Sequence, residues 1–261
     1  MRFDVLTLMP EIFKVAYTGV TGRAFRELGH ELRTLNYRSF AGNTSGHVDD
    51  YPFGGGSGMV LRPDVLKNAL FSLPKFENKR IIHFSPAAPQ LDHAKIIELL
   101  SLDQIILICT RFKGLDQRVI KLYVDEELSV GNVVLSGGEL PALFLIDALC
   151  RWLPGVLGNE ASAMDDSFAT GLLDHHHFTR PAKFEGIETP AVLLSGNHEA
   201  IRLWRLREAM EKTKHLNPKL WTTFIKNKLP SLPSIDQWQA WQVEHPEYRD
   251  STKPKNWKFH S

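Results

Sequence analysis

ELSVGNVVLSGGELPALFLIDALCRWLPGVLGNEASAMDDSF, residues 127–168, is the stretch whose reading decides the fold. Its apolar run Asn132–Leu135 is expected to be a strand, followed by the glycine turn Ser136-Gly137-Gly138. A long apolar helix is expected from about Glu139 to Trp152, and Pro154-Gly155 stops it. Beyond the stop, Gly158 to Ser167 is small, acid-tipped and without a helical or strand period. A stiff element thus delivers a flexible segment carrying Asp165 and Asp166, an arrangement suited to an active site.

Upstream, the same strand–turn–helix unit occurs twice more. Arg80–Phe84 reads as an apolar strand, followed by Ser85-Pro86-Ala87-Ala88-Pro89 and a helix from about Leu91. Gln104–Cys109 is the next strand, followed by Thr110-Arg111-Phe112-Lys113-Gly114 and a helix from about Asp116. Continuous apolar strands alternating with helices predict a parallel sheet covered on both faces. Ligands of such sheets bind outside the carboxyl ends of the strands, so the three loops should share one pocket. Nearer the start, Phe3–Leu8 and Glu31–Leu35 read as strands, and Pro10 opens a helix at its first turn. Another short helix is expected over Thr21–Leu28.

The stretch Tyr51–Gly58 (YPFGGGSG) reads as a tight or mobile loop. Its backbone could cradle a phosphate, but no Gly-Lys-Ser/Thr follows, so it is not a P-loop. There is no Gly-x-Ser-x-Gly elbow and no Gly-x-Gly-x-x-Gly after the first strand, which argues against a hydrolase elbow and a dinucleotide site. Downstream, Asn197 can cap a helix whose apolar positions are Ile201, Leu203, Trp204, Leu206 and Met210. Leu216–Lys226 forms a further candidate helix, Pro230 and Pro233 break the chain, and a polar basic tail follows.

At 261 residues with 43% hydrophobic and 23% charged residues, the composition is that of a globular chain with a sizeable core. Cys109 and Cys150 lie in apolar runs and read as buried thiols in a reducing compartment, not as a disulfide. The start lacks a signal-peptide pattern and no apolar run reaches membrane length, so a cytoplasmic address is expected. Charge is uneven. Residues 201–261 hold 12 Lys/Arg against 6 Asp/Glu, while the remainder holds 19 against 24. A basic end on a mildly acidic body fits a polyanion partner, and equally a solvated surface.

Two constellations carry possible chemistry. Arg151 near the end of the long helix and Asp166 beyond it could act as an electrostatic and base pair. A helix-end arginine and a solvated loop acid would look the same. His175-His176-His177 beside Asp174 invites a metal reading, but adjacent loop histidines rarely aim at one ion, and no metal is expected.

At these residues the chain resembles the bacterial tRNA (guanine-N1)-methyltransferase family of the SPOUT superfamily. The motifs are VTGRAF (Val20–Phe25), VDDYPFGGGSGM (Val48–Met59) and Ser85-Pro86 with Leu91-Asp92. R-x-x-G-x-D-x-R-V (Arg111–Val119), VLSGGELPA (Val134–Ala142) and PGVLGNEASAMDDSF (Pro154–Phe168) follow. GLLD…HFTRP (Gly171–Pro181) and LLSGNHEAIRLWR (Leu193–Arg205) complete the set, in the family's order, from Met1 to about Leu220.

The resemblance implies an α/β fold of SPOUT type: a parallel sheet with a deep trefoil knot, plus a small mostly helical C-terminal domain. The implied division is a methyltransferase domain over 1–157, a flexible linker over 158–170 and a tRNA-binding helical domain with basic tail over 171–261. It further implies S-adenosyl-L-methionine as cofactor, tRNA as substrate, and a homodimer whose active sites use both chains. The implied reaction is methylation of N1 of guanosine at tRNA position 37, the base being turned out of its stack. In that reading Asp166 is the general base and Arg151 stabilises charge on guanine O6.

The implied cofactor-binding positions are Phe84, Ser85, Pro86, Thr110, Phe112, Gly114, Ser129, Val130, Leu135, Gly137, Gly138 and Pro141. Ser167, Asp174, His177 and Arg180 are the implied substrate-binding positions, and Thr179 belongs to the same motif. Three positions, Thr110, Phe112 and Lys113, depart from the family's Gly-Arg-Tyr-Glu-Gly. Thr110 adds bulk, and Lys113 replaces an acid, which puts a role for Mg²⁺ in doubt. The loss of that acid is also the sole support for a non-catalytic, RNA-binding scaffold. A SPOUT enzyme with another RNA target is the remaining alternative.

Overall fold

A computed structural model describes residues 1–42, 46–158, 163–164 and 166–227. It divides into two compact units, Met1–Glu160 and Ala161–Ser261.

In the first unit, β1 (Arg2–Thr7) is buried along its whole length. A 3-10 turn over Pro10–Tyr17, with proline at its start, leads to α1 (Gly19–Arg26) and β2 (Glu31–Asn36). The short strands β3 (Asp49–Asp50) and β4 (Val60–Leu61) pair with each other. Then come α2 (Pro63–Phe71), β5 (Lys79–Phe84), α3 (His93–Leu99), β6 (Gln104–Ile108) and α4 (Gln117–Tyr123). Finally β7 (Glu126–Leu128) precedes α5 (Glu139–Cys150).

Five strands form one sheet in the order β2-β1-β6-β5-β7. Every pairing in it is parallel, with Phe3 opposite Ile105 and Phe84 opposite Leu128. The period of two along a strand sends alternate residues to opposite faces. Ile105, Leu107 and Cys109 join one core with Phe3, Val5 and the inner residues of α3 and α5. Ile106 and Ile108 join a second core with Leu6, Tyr37 and the inner residues of α2 and α4. Both faces are therefore covered, which is why these strands read as continuous apolar runs.

The third expected strand is corrected. Asn132–Leu135 is not a strand; Val133 is 57% and Val134 86% exposed. The edge strand is the preceding β7, whose register is held by polar contacts. Glu126 pairs with Arg80 and Lys95, and Glu127 meets His83. Val133, Val134 and Leu135 instead form loop wall of a cavity. The long helix ends two residues earlier than expected, with Arg151 as its C-cap.

In the second unit, a hairpin of β8 (Lys183–Phe184) and β9 (Ile187–Glu188) precedes α6 (Ala191–Leu194). Helix α7 (His198–Leu216) starts where the Asn197 side chain accepts from the Ala200 N–H at 3.1 Å, and α8 (Pro218–Asn227) follows. The small core is Leu172, Ala209, Met210 and Phe224, backed by Leu206, Trp221 and Ile225. Ile201, Leu203 and Trp204, expected on the buried face, are only half-buried. Thr213 replaces them inside: its hydroxyl donates to Ala209 O at 2.6 Å and accepts from the Leu173 N–H at 2.8 Å. The expected breaks at Pro230 and Pro233 and the basic tail lie outside the described residues, as does Asp165. Among the described residues, no helix is long and apolar enough to cross a membrane.

Candidate active site

A cavity of about 310 Å³ opens at the carboxyl ends of β5, β6 and β7. That volume sits at the lower end of small-molecule sites, roughly 300–1,000 Å³. All twelve expected cofactor positions line it: Phe84, Ser85 and Pro86 after β5, and Thr110, Phe112 and Gly114 after β6. Ser129, Val130, Leu135, Gly137, Gly138 and Pro141 come from the loop after β7 and the start of α5. Because β7 ends at Leu128, this last loop is longer than the sequence indicated. Its beginning is stitched to the first loop. Ser129 N–H donates to Pro89 O at 2.8 Å, and Leu91 N–H donates to Ser129 O at 2.8 Å.

The loop after β6 is tied to the end of that last loop through the backbone. Gly138 N–H donates to Thr110 O at 3.0 Å. A Cβ on Gly138 would lie 2.9 Å from the Cys109 Cα, so only glycine permits α5 to begin this close to β6. Below the floor, Glu139 is buried in the first turn of α5, where an acid complements the helix dipole. It accepts from the Thr7 hydroxyl at 3.0 Å and meets Arg111 Nε at 3.4 Å. One carboxylate thus links β1, the loop after β6 and α5.

Lys113 and Ser136, from loops expected to share the pocket, also line it, whereas His83, Leu128, Val133 and Val134 were missed. Val133 and Val134 belong to the run expected to be a strand. His83 is buried, with Nδ1 2.8 Å from Glu127 Oε1 and Nε2 3.3 Å from the Thr110 hydroxyl. Burial holds its pKa below the ordinary value against the opposing pull of Glu127. A neutral ring that donates from Nδ1 and accepts at Nε2 satisfies both contacts. Thr110 thereby has a partner that glycine could not offer. Lys113 N–H donates to Met59 O at 2.9 Å, and its side chain packs beside Gly56 and Gly58 of the glycine loop.

The cysteines take no part in this wall. Burial, reinforced by Asp147, pushes the Cys150 thiol up to about 12, and burial raises Cys109 well above its usual value. Both are inert, free thiols.

The other expected site residues are not among the described lining of this cavity. Arg151 caps α5 in the first unit and is half-buried. Asp166 and Ser167, also half-buried, open a turn in the second unit. In that turn Phe168 adopts a left-handed φ of 77°, and its N–H donates to Leu172 O at 2.7 Å. Ser167 Oγ accepts from the Asp174 N–H at 2.9 Å. Asp174 Oδ2 lies 2.6 Å from His177 Nε2, while Arg180 is exposed. Burial disfavours the Asp174 carboxylate, but its bonds and charges from His177 and His175 outweigh this and hold its pKa below the ordinary value.

Residues 1–223 match the family described as tRNA (Guanine-1)-methyltransferase TrmD. The chain belongs to that family. A tRNA (guanine-N(1)-)-methyltransferase of Dechloromonas aromatica is 46% identical over 228 residues, 84% of this chain and 90% of the relative. Proteins of the same description from Shewanella sp. strain ANA-3 and Shewanella oneidensis are each 48% identical over 223 residues. These two alignments likewise cover 84% of this chain and 90% of each relative. Members of the family use S-adenosylmethionine, and the strand-end cavity suits it. Phe84, Leu128, Leu135 and Pro141 offer apolar walls for a heterocycle, and Lys113 offers a cation for a carboxylate. Its described lining carries no acid.

Proposed function

We propose that this chain methylates N1 of guanosine at tRNA position 37 with S-adenosyl-L-methionine. The observation that carries the reading is the gathering of all twelve expected positions around one cavity in a chain of this family. When bound, the cofactor supplies a methyl group activated on a sulfonium. The protein's own work is to make the nucleophile. Guanine N1 holds a proton and is a poor nucleophile until it leaves. The Asp166 carboxylate takes that proton and leaves the N1 lone pair ready for the methyl group that the cofactor would supply. The negative charge that spreads to guanine O6 is met by the Arg151 guanidinium. No covalent enzyme intermediate is required.

In this reading residues 1–157 form the knotted methyltransferase domain, 158–170 the linker and 171–261 the RNA-gripping domain. Ser167, Asp174, His177 and Arg180 face the RNA, and the basic end supplies a salt-sensitive hold on phosphates. The enzyme works in the cytoplasm as a homodimer, each site drawing on both chains. Lys113 stands where the resemblance implies an acid, so charge disfavours a magnesium ion at that position.

The test uses labelled S-adenosylmethionine and two tRNA transcripts differing only in guanosine or adenosine at position 37. Label in the first alone, mapped to N1, is the expected result. Label in neither, with cofactor still bound, would overturn the substrate and favour another RNA target. Light scattering at working concentration checks the dimer.

A further inference from the structure

The loop after the Asp166 turn holds a cluster that the proposed methyl transfer does not use as a whole. Its backbone is fixed at two points, Leu173 N–H on the Thr213 hydroxyl and Asp174 N–H on Ser167 Oγ. Alternate side chains then take opposite sides. His175 and His177 come together, with ring centroids 4.4 Å apart. His176 turns away to Glu208, with Nδ1 2.6 Å from Oε2.

Asp174, His175 and His177 each present one ligand atom, and the three atoms lie within 4.8 Å of one another. His177 Nε2 is 2.6 Å and His175 Nε2 3.8 Å from the Asp174 carboxylate oxygens. The second histidine is the telling one. Its Nδ1 lies 2.9 Å from His176 O, a carbonyl that can only accept, so Nδ1 carries a proton. In the neutral ring the lone pair is therefore on Nε2 and points toward an anion. A cation placed between the two would be held by both. Fixing one ring nitrogen on a backbone carbonyl is also how metal-binding histidines are oriented. The edge of Trp204, 6.2 Å from His175 by ring centroids, walls that ring from one side.

We propose that Asp174, His175 and His177 bind a divalent transition-metal ion of the zinc class. Two imidazoles and a carboxylate suit zinc, cobalt or nickel and not magnesium or calcium. Ligands at ~2.0–2.2 Å from a tetrahedral ion lie roughly 3.3 Å apart, so Asp174 and His177 must separate slightly from their direct hydrogen bond. His177 is well exposed and free to make that movement. The same exposure leaves a fourth position to water. The site stands on these residues alone and does not depend on the methyl-transfer reading.

The test is titration of the untagged, chelator-stripped full chain with Co²⁺, followed by competition with Zn²⁺. One equivalent should produce a tetrahedral ligand-field spectrum that Zn²⁺ abolishes. His175→Ala and His177→Ala should each weaken binding by roughly 10-fold or more, at least the scale that outer-shell changes produce at metal sites. His176→Ala should leave it unchanged. Circular dichroism checks that each variant is folded, and His175→Gln repeats the test if the alanine variant is not. No cobalt spectrum in the wild type overturns the proposal. So does equal loss in His176→Ala, which would mark a loose histidine-rich chelator.

Discussion

The strand-end cavity and the Asp166–Arg180 segment are built by opposite means. The cavity is made of backbone and apolar wall: Gly138 against Cys109, Ser129 zipped to Pro89 and Leu91, and Glu139 buried beneath. The Asp166–Arg180 segment is made of polar side chains: Ser167 on Asp174, Asp174 on His177, and Thr213 on Leu173. Parallel strands ending together give a fixed shape with few charges, which suits holding a small molecule. A polar segment, held by side-chain bonds and part-exposed, can offer a proton acceptor and recognise a charged polymer. The lesson is that, on the proposed reading, binding and proton transfer can be altered separately.

The sharpest way to break this contrast is Asp166→Ala. It should lower methyl transfer by roughly 10²–10⁴-fold, the range of a general base, with calorimetric cofactor affinity unchanged. Loss of both together would mean that the two regions are not separable. Gly138→Ala is the converse. Its Cβ meets the Cys109 backbone, costing about 1–3 kcal/mol of overpacking. The variant should lose cofactor affinity and thermal midpoint, with residual transfer still dependent on Asp166.

Glu139→Ala is milder. It strands the buried Thr7 hydroxyl and frees Arg111, costing about 1–3 kcal/mol in denaturant unfolding. Glu139→Gln, which can still accept from Thr7, should recover part of that loss. The smallest effect is on the pH profile. The pKa of folded His83 is depressed by burial, so below about 6.5 the unfolded chain takes up a proton that the folded one resists. Stability should therefore be full above that value and fall as pH drops toward the lower folded pKa. His83→Gln should flatten this part of the profile in denaturant midpoints measured across it. An unchanged slope would show that His83 is not its source.

Much of the cavity was legible beforehand because strand, turn and helix signals are local. Gln104–Ile108 is apolar at most positions and buried at every one, Asn197 caps its helix, and Gly138 sits where backbone approaches closely. The misassigned element, Asn132–Leu135, shows the limit. An apolar run has the same composition whether it fills a core or lines a ligand cavity. The backbone pairing of Glu126–Leu128 with Ile82–Phe84, with Glu126 and Glu127 set beside Arg80, Lys95 and His83, reveals which segment joined the sheet.

The chain by itself determined the parallel α/β sheet, the meeting of its loops at the strand ends and, through ordered motifs, the family. These follow from hydrophobic period and from glycine and proline, which act within a few residues. Tertiary structure alone decided the rest. It turned His83 toward Thr110, buried Glu139 beneath the cavity floor, and turned His175 and His177, but not His176, toward one carboxylate. Those outcomes depend on which distant groups arrive as neighbours. A polar side chain, once buried, must find its partner among them.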